Sequence, residues 1–334
     1  MYELLGISLA LAALLTINTL ASLAAAAGWR LLERPTRNCS ARTRAEILFV
    51  MRISSPVLAV FGVTALVVPA FVIYEPHATT EVVSKKLAAL ALVSAVGVGF
   101  ALWRGVRSWW ATQKLLRKWL AIAEPIQIAR VDIPTFRIPN PFPIIAVVGT
   151  ITPRLFIAEQ VLASLSEDEL SAALAHESGH LAARDNLKRS LLRGCRDALM
   201  MVPYGRSLDR AWAEMAECAA DEHAAQKSPD TALDLASALV RIAKMIPAGV
   251  PAAIPVAAFL VGNEETRGVK ARVGRLLEIA ATGERPRVAH STLTRVLSLT
   301  SVGLFFAFGI LAASNTQILA TVHWLIEHAV RVLS

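Results

Sequence analysis

The stretch SEDELSAALAHESGHLAARD, residues 166–185, decides how the rest of the chain is read. Ser166 followed three residues later by Glu169 is a capping box, and apolar residues at helical spacing (Leu170, Leu174, Leu181) come directly after it. A helix therefore starts at Ser166, and its pattern continues past Asp185. Within it, His176, Glu177 and His180 form the pattern H-E-x-x-H. Residues four apart sit one turn apart on one helix face, so both imidazoles can bind a single Zn²⁺. Zinc lowers the pKa of a bound water to about 7, and Glu177 is placed to take that water's proton. Glu177 as a solvated helix charge and His180 as a packed core histidine are the bland alternatives. With only 7 histidines in 334 residues, two at this spacing on a capped helix argue against chance.

Two histidines leave a catalytic zinc short of a protein ligand. The next helix, roughly 207–226, offers Glu214, Glu217, Asp221 and His223. Glu217 and Asp221 lie one turn apart among small residues that allow close helix approach. Glu217 is the expected metal ligand, with Asp221 accepting the second ring N–H of a ligand histidine. Glu214, a turn earlier, is the rival ligand, and an ordinary salt bridge to an arginine is the alternative for Asp221. His223 projects from a different face. Cys218 reads as a small packed residue.

Upstream, residues 106–123 read as a helix ended by Glu124-Pro125, and 126–133 read as β-like. Residues 135–143, with Pro139, Pro141 and Pro143, read as a loop, and 144–148 and 154–158 as short apolar strands. Ala146, Val147, Val148 and Gly149 are the candidate edge strand that receives an extended substrate by β-augmentation, against an ordinary buried strand. Three residues are candidates to stabilise the oxyanion: Arg272, His223 and Tyr204. The stretch 246–263 is uncharged but broken by Pro247, Pro251 and Pro255, which argue against a spanning helix. It reads as an apolar loop, a lid over the cleft or core packing.

This segment is enclosed by apolar runs. Residues 4–29, 53–74 and 87–103 carry no charge, nor do 296–326. Crossing the ~30 Å hydrocarbon core takes ~20 apolar residues, so four spans are expected, the last broken at Ser314-Asn315-Thr316 before a short amphipathic helix on the membrane surface. A signal peptide does not fit the first run, which is too long and has no basic residue before it. The composition agrees: 55% hydrophobic, 18% charged, mean hydropathy +0.51. That excludes a disordered, fibrous or purely cytosolic globular chain. Three scattered cysteines exclude a disulfide framework or a cysteine-rich zinc module. The expected fold is thus a mainly α membrane protein. Three transmembrane helices (1–105) precede an α+β zinc peptidase domain (106–294), and a fourth span with a short C-terminal helix (295–334) follows it.

Basic residues set the orientation. Arg30, Arg34, Arg37, Arg42, Arg44 and Arg52 crowd the first connection, and Arg104, Arg107, Lys114, Arg117 and Lys118 follow the third span, whereas Lys85 and Lys86 only balance Glu75 and Glu81. Both termini are then outside and the peptidase domain is cytoplasmic. The net charge of +8 is accordingly topogenic, and no direct nucleic-acid partner is expected.

The region from Gly149 to Asp221 resembles the zinc metallopeptidase domain of the BlaR/MecR-type antirepressor sensor-transducers. The matching stretches are Pro153-Arg-Leu-Phe-Ile157, Leu165 to Leu170, Ala175-His-Glu-Ser-Gly-His180, Arg184-Asp185-Asn186 and Glu217-Cys-Ala-Ala-Asp221. The Glu-x-x-x-Asp pattern is shared with the HtpX and CAAX-prenyl membrane proteases, also gluzincins. The resemblance implies that His176, His180 and Glu217 hold Zn²⁺, that Glu177 is the catalytic base, and that the chain sits in a bacterial inner membrane. It also implies a protein substrate, such as a transcriptional repressor. The expected activity is that of a membrane zinc metalloendopeptidase. A non-catalytic zinc-containing receptor or scaffold is the alternative, with a transporter ranked last because none of the runs carries Asp, Glu, Lys or Arg. β-Lactam recognition is not expected, because about 20 residues beyond Ser314 leave no room for a penicillin-binding domain. The oligomeric state is not legible.

The topology is directly testable. A reporter fused after residue 85 should be extracytoplasmic, and one within 106–290 cytoplasmic. Labelling of the His176 region from outside the cell would overturn the orientation.

Overall fold

The computed structural model describes residues 1–77, 83–128, 131–195, 205–246, 265–283, 307 and 309–333. Three helices among them are long and apolar enough to cross a membrane: Tyr2–Leu32, Ala41–Tyr74 and Lys85–Leu120. The first is α1. The second comprises α2 (Ala41–Gly62), a π-helical turn (Val63–Val67) and α3 (Val68–Tyr74). The turn falls just before Pro69, which has no N–H for the regular ladder, and Val68 N–H reaches back to the Val63 carbonyl instead. Ser40 caps α2 by accepting from Thr43 N–H, and Ser84 caps the third helix, α4 (Lys85–Leu120), by accepting from Leu87 N–H.

At 1.5 Å per residue α4 is about 54 Å long, well beyond the ~30 Å core. It therefore carries straight on out of the apolar region, as the sequence indicated. Trp119, near its end, is buried edge-on against Phe156 with centroids 5.1 Å apart, so the helix is rooted in the core of the following domain.

That core is a four-stranded sheet, β1 (Glu124–Ile126), β2 (Thr135–Ile138), β3 (Ile145–Val148) and β4 (Arg154–Ala158), in the order β1-β2-β4-β3. β2 runs parallel to β4 and the other pairs are antiparallel. Two expectations need correction. Residues 135–143 are not all loop: Thr135-Phe-Arg-Ile138 forms β2 at the sheet centre, and the prolines begin only at Pro139, after the ladder has ended. Conversely, among the described residues of the β-like stretch 126–133, only Ile126 lies in a strand.

Helices α5 (Glu159–Ser164), α6 (Glu167–Ala183), α7 (Asp185–Cys195), α8 (Gly205–Ala225), α9 (Pro229–Met245) and α10 (Glu265–Thr282) follow. Residues 309–314 are helical. The break expected at Ser314–Thr316 is present, with Asn315 Oδ1 accepting from Gln317 and Ile318 N–H to start α11 (Thr316–Leu333). The fourth expected span lies mostly outside the described residues, as does the proline-interrupted stretch beyond Ile246.

The first connection does more than set orientation. Arg52 is buried, its Nε 3.0 Å from Asp209 Oδ1 and its Nη2 donating to the Cys195 carbonyl at 3.0 Å. Lys188 pairs with Glu46, and Leu48 packs with Leu208, Trp212 and Ala216. The start of α2 is thus a docking post for α7 and α8. Removing one partner of a buried pair leaves the other without compensation. Arg52→Ala should cost about 3 kcal/mol of stability, read as a lower thermal midpoint for the detergent-solubilised chain. An unchanged midpoint would show that the apolar contacts alone hold the dock.

Candidate active site

The capping box at Ser166 is present with both hydrogen bonds, Ser166 Oγ accepting from Glu169 N–H and Glu169 Oε2 accepting from Ser166 N–H. It starts α6 in register, so His176, Glu177 and His180 share one side of a helix. Gly179 then lets α8 come close: a Cβ there would lie 3.1 Å from Ala220 Cα and 3.1 Å from His223 Cβ. This approach brings Glu217 to the histidines. Its carboxylate oxygens lie 3.6 Å from His176 Nε2 and 3.7 Å from His180 Nε2, and the two Nε2 atoms are 3.2 Å apart. Glu214, the rival ligand, is exposed.

Each imidazole is oriented by a carboxylate on its other nitrogen. His176 Nδ1 is 2.9 Å from Asp221 Oδ1, and His180 Nδ1 is 2.7 Å from Asp185 Oδ2. A carboxylate only accepts, so each Nδ1 donates, and the two Nε2 atoms turn toward Glu217. A tetrahedral ion with bonds of about 2.0–2.2 Å separates its ligand atoms by roughly 3.3–3.6 Å, close to the three spacings observed. Glu217 Oε2 is buried without a hydrogen bond of proper geometry, although Arg272 Nη1 lies 3.1 Å away. The donor set of two imidazoles and a carboxylate fits zinc.

Asp185 was missed as a partner for His180. Were α6 to continue past it, as the sequence pattern indicated, residue i+5 would point to another face. Instead α6 ends at Ala183, and Arg184 adopts a left-handed conformation with φ 54°. A non-glycine residue there costs roughly 1–2 kcal/mol. The break turns Asp185 back to His180 and puts Asn186 beside β3, where its Nδ2 donates to the carbonyls of Val147 (2.8 Å) and Gly149 (3.2 Å).

The other residues singled out are distributed as follows. Asp221 satisfies both of its readings: it holds His176 and also takes a two-pronged contact from Arg272, at 2.9 and 2.7 Å. Arg272 is therefore committed to Asp221 and Glu217 behind the ligand set. His223 packs against Gly179, and Tyr204 lies outside the described residues. Glu177 is buried and accepts from Val147 N–H. With His180 it lines a cavity of about 380 Å³ shared with Ala146, Val147, Gly149, Asn186 and Arg189. Strand β3, paired only with β4 among the described residues, forms one wall of that cavity and is itself buried. Arg189 lies over Trp212 and 3.6 Å from Glu217 Oε1, and nothing in the sequence singled it out.

The electrostatics follow from this packing. Burial pushes the Glu177 carboxyl up, only partly opposed by His180 and His176. Burial also works against a charged His180, but the Glu217 carboxylate and the Asp185 hydrogen bond outweigh it and lift its pKa to about 10. Burial likewise opposes the Glu217 and Asp221 carboxylates, yet both are held below the usual range, Glu217 chiefly by His180 and Asp221 chiefly by Arg272. Glu217 and Asp221 thus stay charged while buried because His180 and Arg272 lie against them.

Residues 146–219 match the model of peptidase family M48. The matched segment runs from β3 into α8 and includes His176, Glu177, His180 and Glu217. No curated protein matches the chain. The family match, the His176–His180–Glu217 cluster and the three apolar helices support a membrane metallopeptidase.

The role of Asp185 can be measured. Asp185→Asn keeps the shape but not the charge that orients His180, and should weaken zinc binding ~10–100-fold in a competition titration with a chromophoric chelator. An affinity equal to wild type would make Asp185 a mere helix-terminal residue.

Proposed function

We propose that this chain is an integral membrane zinc metalloendopeptidase that hydrolyses peptide bonds of a cytoplasmic regulator or of a membrane protein. The observation that carries the reading is the convergence of His176, His180 and Glu217, with His180 also lining, together with Glu177, the cavity beside β3. A purely structural site has no need of a buried carboxylate beside the ligands. When bound, zinc supplies a Lewis acid for the scissile carbonyl and lowers the pKa of a water.

Glu177 takes the proton of the attacking water and passes it to the leaving amine. Its burial favours this double role, because a carboxyl raised from its ordinary range accepts a proton more readily near neutral pH. Asp221 and Asp185 keep the ligand rings fixed through the cycle. The substrate lies extended along Ala146–Gly149, adding a strand to β3. In support, Ile144 O accepts from Ala158 N–H, so by the antiparallel alternation the peptide group of Ile145 points away from β4, whereas Val147 has to exchange its contacts with Asn186 and Glu177 for the substrate's.

The finer kinship, with the BlaR/MecR-type antirepressors, is our reading of Arg184-Asp185-Asn186. Each of the three has a task here: Arg184 breaks the helix, Asp185 holds His180 and Asn186 ties the helix break to β3. With it goes a cytoplasmic peptidase domain in a bacterial inner membrane.

Glu177→Gln separates metal binding from catalysis. The variant should fold and hold zinc as wild type does, while cleavage of a co-expressed substrate, or of the chain itself, falls ~10²–10⁴-fold. The reading is falsified if fragments form at an undiminished rate. A normal cellular phenotype with no cleavage would favour the scaffold alternative.

A further inference from the structure

At the end of the helix bundle remote from the peptidase domain, a second group of metal-ligating side chains comes together. Glu75 ends α3, in an extended conformation (φ −81°, ψ 125°) that carries its side chain off the helix. His323 and Glu327 are four apart on α11, so they share a face. One ligand atom from each of the three residues lies within 4.8 Å of the other two.

Packing, not charge pairing, sets this arrangement. Tyr74, next to Glu75, stacks on the His323 ring at 5.6 Å and 30°, and its hydroxyl donates to the Thr316 carbonyl at 2.9 Å. Ile326 and Val330 seat α11 on Leu5, Leu9, Phe71 and Leu87. The imidazole is held in place, yet its hydrogen-bonding capacity is poorly used. Nδ1 is buried without a partner, and Nε2 lies 3.8 Å from Glu327 Oε1, too long for a hydrogen bond. Buried polar atoms are normally satisfied, and a gap of this size is of the order of that between two atoms bound to one cation. Arg331, largely exposed, lies 3.8 Å from the other Glu327 oxygen.

We propose that Glu75, His323 and Glu327 form a second divalent-cation site that takes Zn²⁺ and joins the end of α3 to α11. One imidazole with two carboxylates is a borderline-hard set that suits zinc; carboxylates alone would suit Mg²⁺ or Mn²⁺. A bound ion cross-links two elements that, among the described residues, are joined by apolar contacts, the Tyr74 ring and the Tyr74–Thr316 hydrogen bond. None of the three residues lines the cavity at Glu177 and His180, so the site stands or falls apart from the peptidase reading.

The test uses the full-length chain in detergent, stripped with a chelator, re-equilibrated with Zn²⁺ alone and assayed for metal per chain by mass spectrometry. Wild type should hold about two zinc ions. Glu75→Gln, His323→Gln and Glu327→Gln should each lose one, as should His176→Ala, and His176→Ala combined with Glu327→Gln should retain none. As a second readout, Zn²⁺ should raise the thermal midpoint of His176→Ala but not that of the combined variant. Wild type holding a single ion that Glu327→Gln leaves in place would overturn the proposal. So would two ions indifferent to all three rim substitutions. Equal retention of Mn²⁺ and Zn²⁺ at the rim would overturn the choice of metal.

Discussion

The structure of this domain depends on two carboxylate–imidazole hydrogen bonds, Asp221 to His176 and Asp185 to His180. Each fixes one ring nitrogen as a donor, so both Nε2 atoms are directed at the same place. The other features follow from the need to deliver those carboxylates. Asp221 requires α8 to lie against α6, which is why Gly179 faces Ala220, where a Cβ would be crowded at 3.1 Å. Asp185 requires α6 to stop at Ala183, so an arginine occupies a left-handed conformation that costs free energy elsewhere in a helix. Arg272 then allows Asp221 to stay charged while buried and adds to the hold of His180 on Glu217, since buried anions without a cation would favour the protonated form.

What was legible in the sequence was whatever depends on helical spacing alone. Ser166 and Glu169, His176 and His180, and Glu217 and Asp221 are pairs three or four apart, and the geometry of one turn fixes their relation before any tertiary structure exists. Asp185 was legible as a residue but not as a partner, because its role rests on a backbone break that the composition of Ala182-Ala183-Arg184 does not announce. Strand β2 was obscured by prolines that lie after it. The function of Arg272 was out of reach for another reason: it sits 51 residues from Asp221, and only packing of α10 against α8 relates the two. The same holds for Arg52. Its position beside an apolar run fits the positive-inside pattern, and nothing in that pattern distinguishes it from Arg42 or Arg44, although of these three it is Arg52 that pairs with Asp209.

The membrane helices and the metal cluster are consequently less separate than the domain order implies. Asp221 and Glu222 are neighbours on α8 with opposite allegiances. Asp221 turns inward to His176 and Arg272, while Glu222 accepts from the Ala41 N–H at the start of α2 and pairs with Arg275, one turn after Arg272 on α10. A carboxylate at a helix N-terminus is favourably placed with respect to the helix dipole, so the contact is specific to the end of α2. One turn of α8 thus anchors the His176–His180–Glu217 cluster on one side and a membrane-length helix on the other, and α10 backs both. A displacement of α2 along its axis would reach α8 at both places where the two are joined by polar contacts, Glu222 beside the Ala41 N–H and Asp209 beside Arg52.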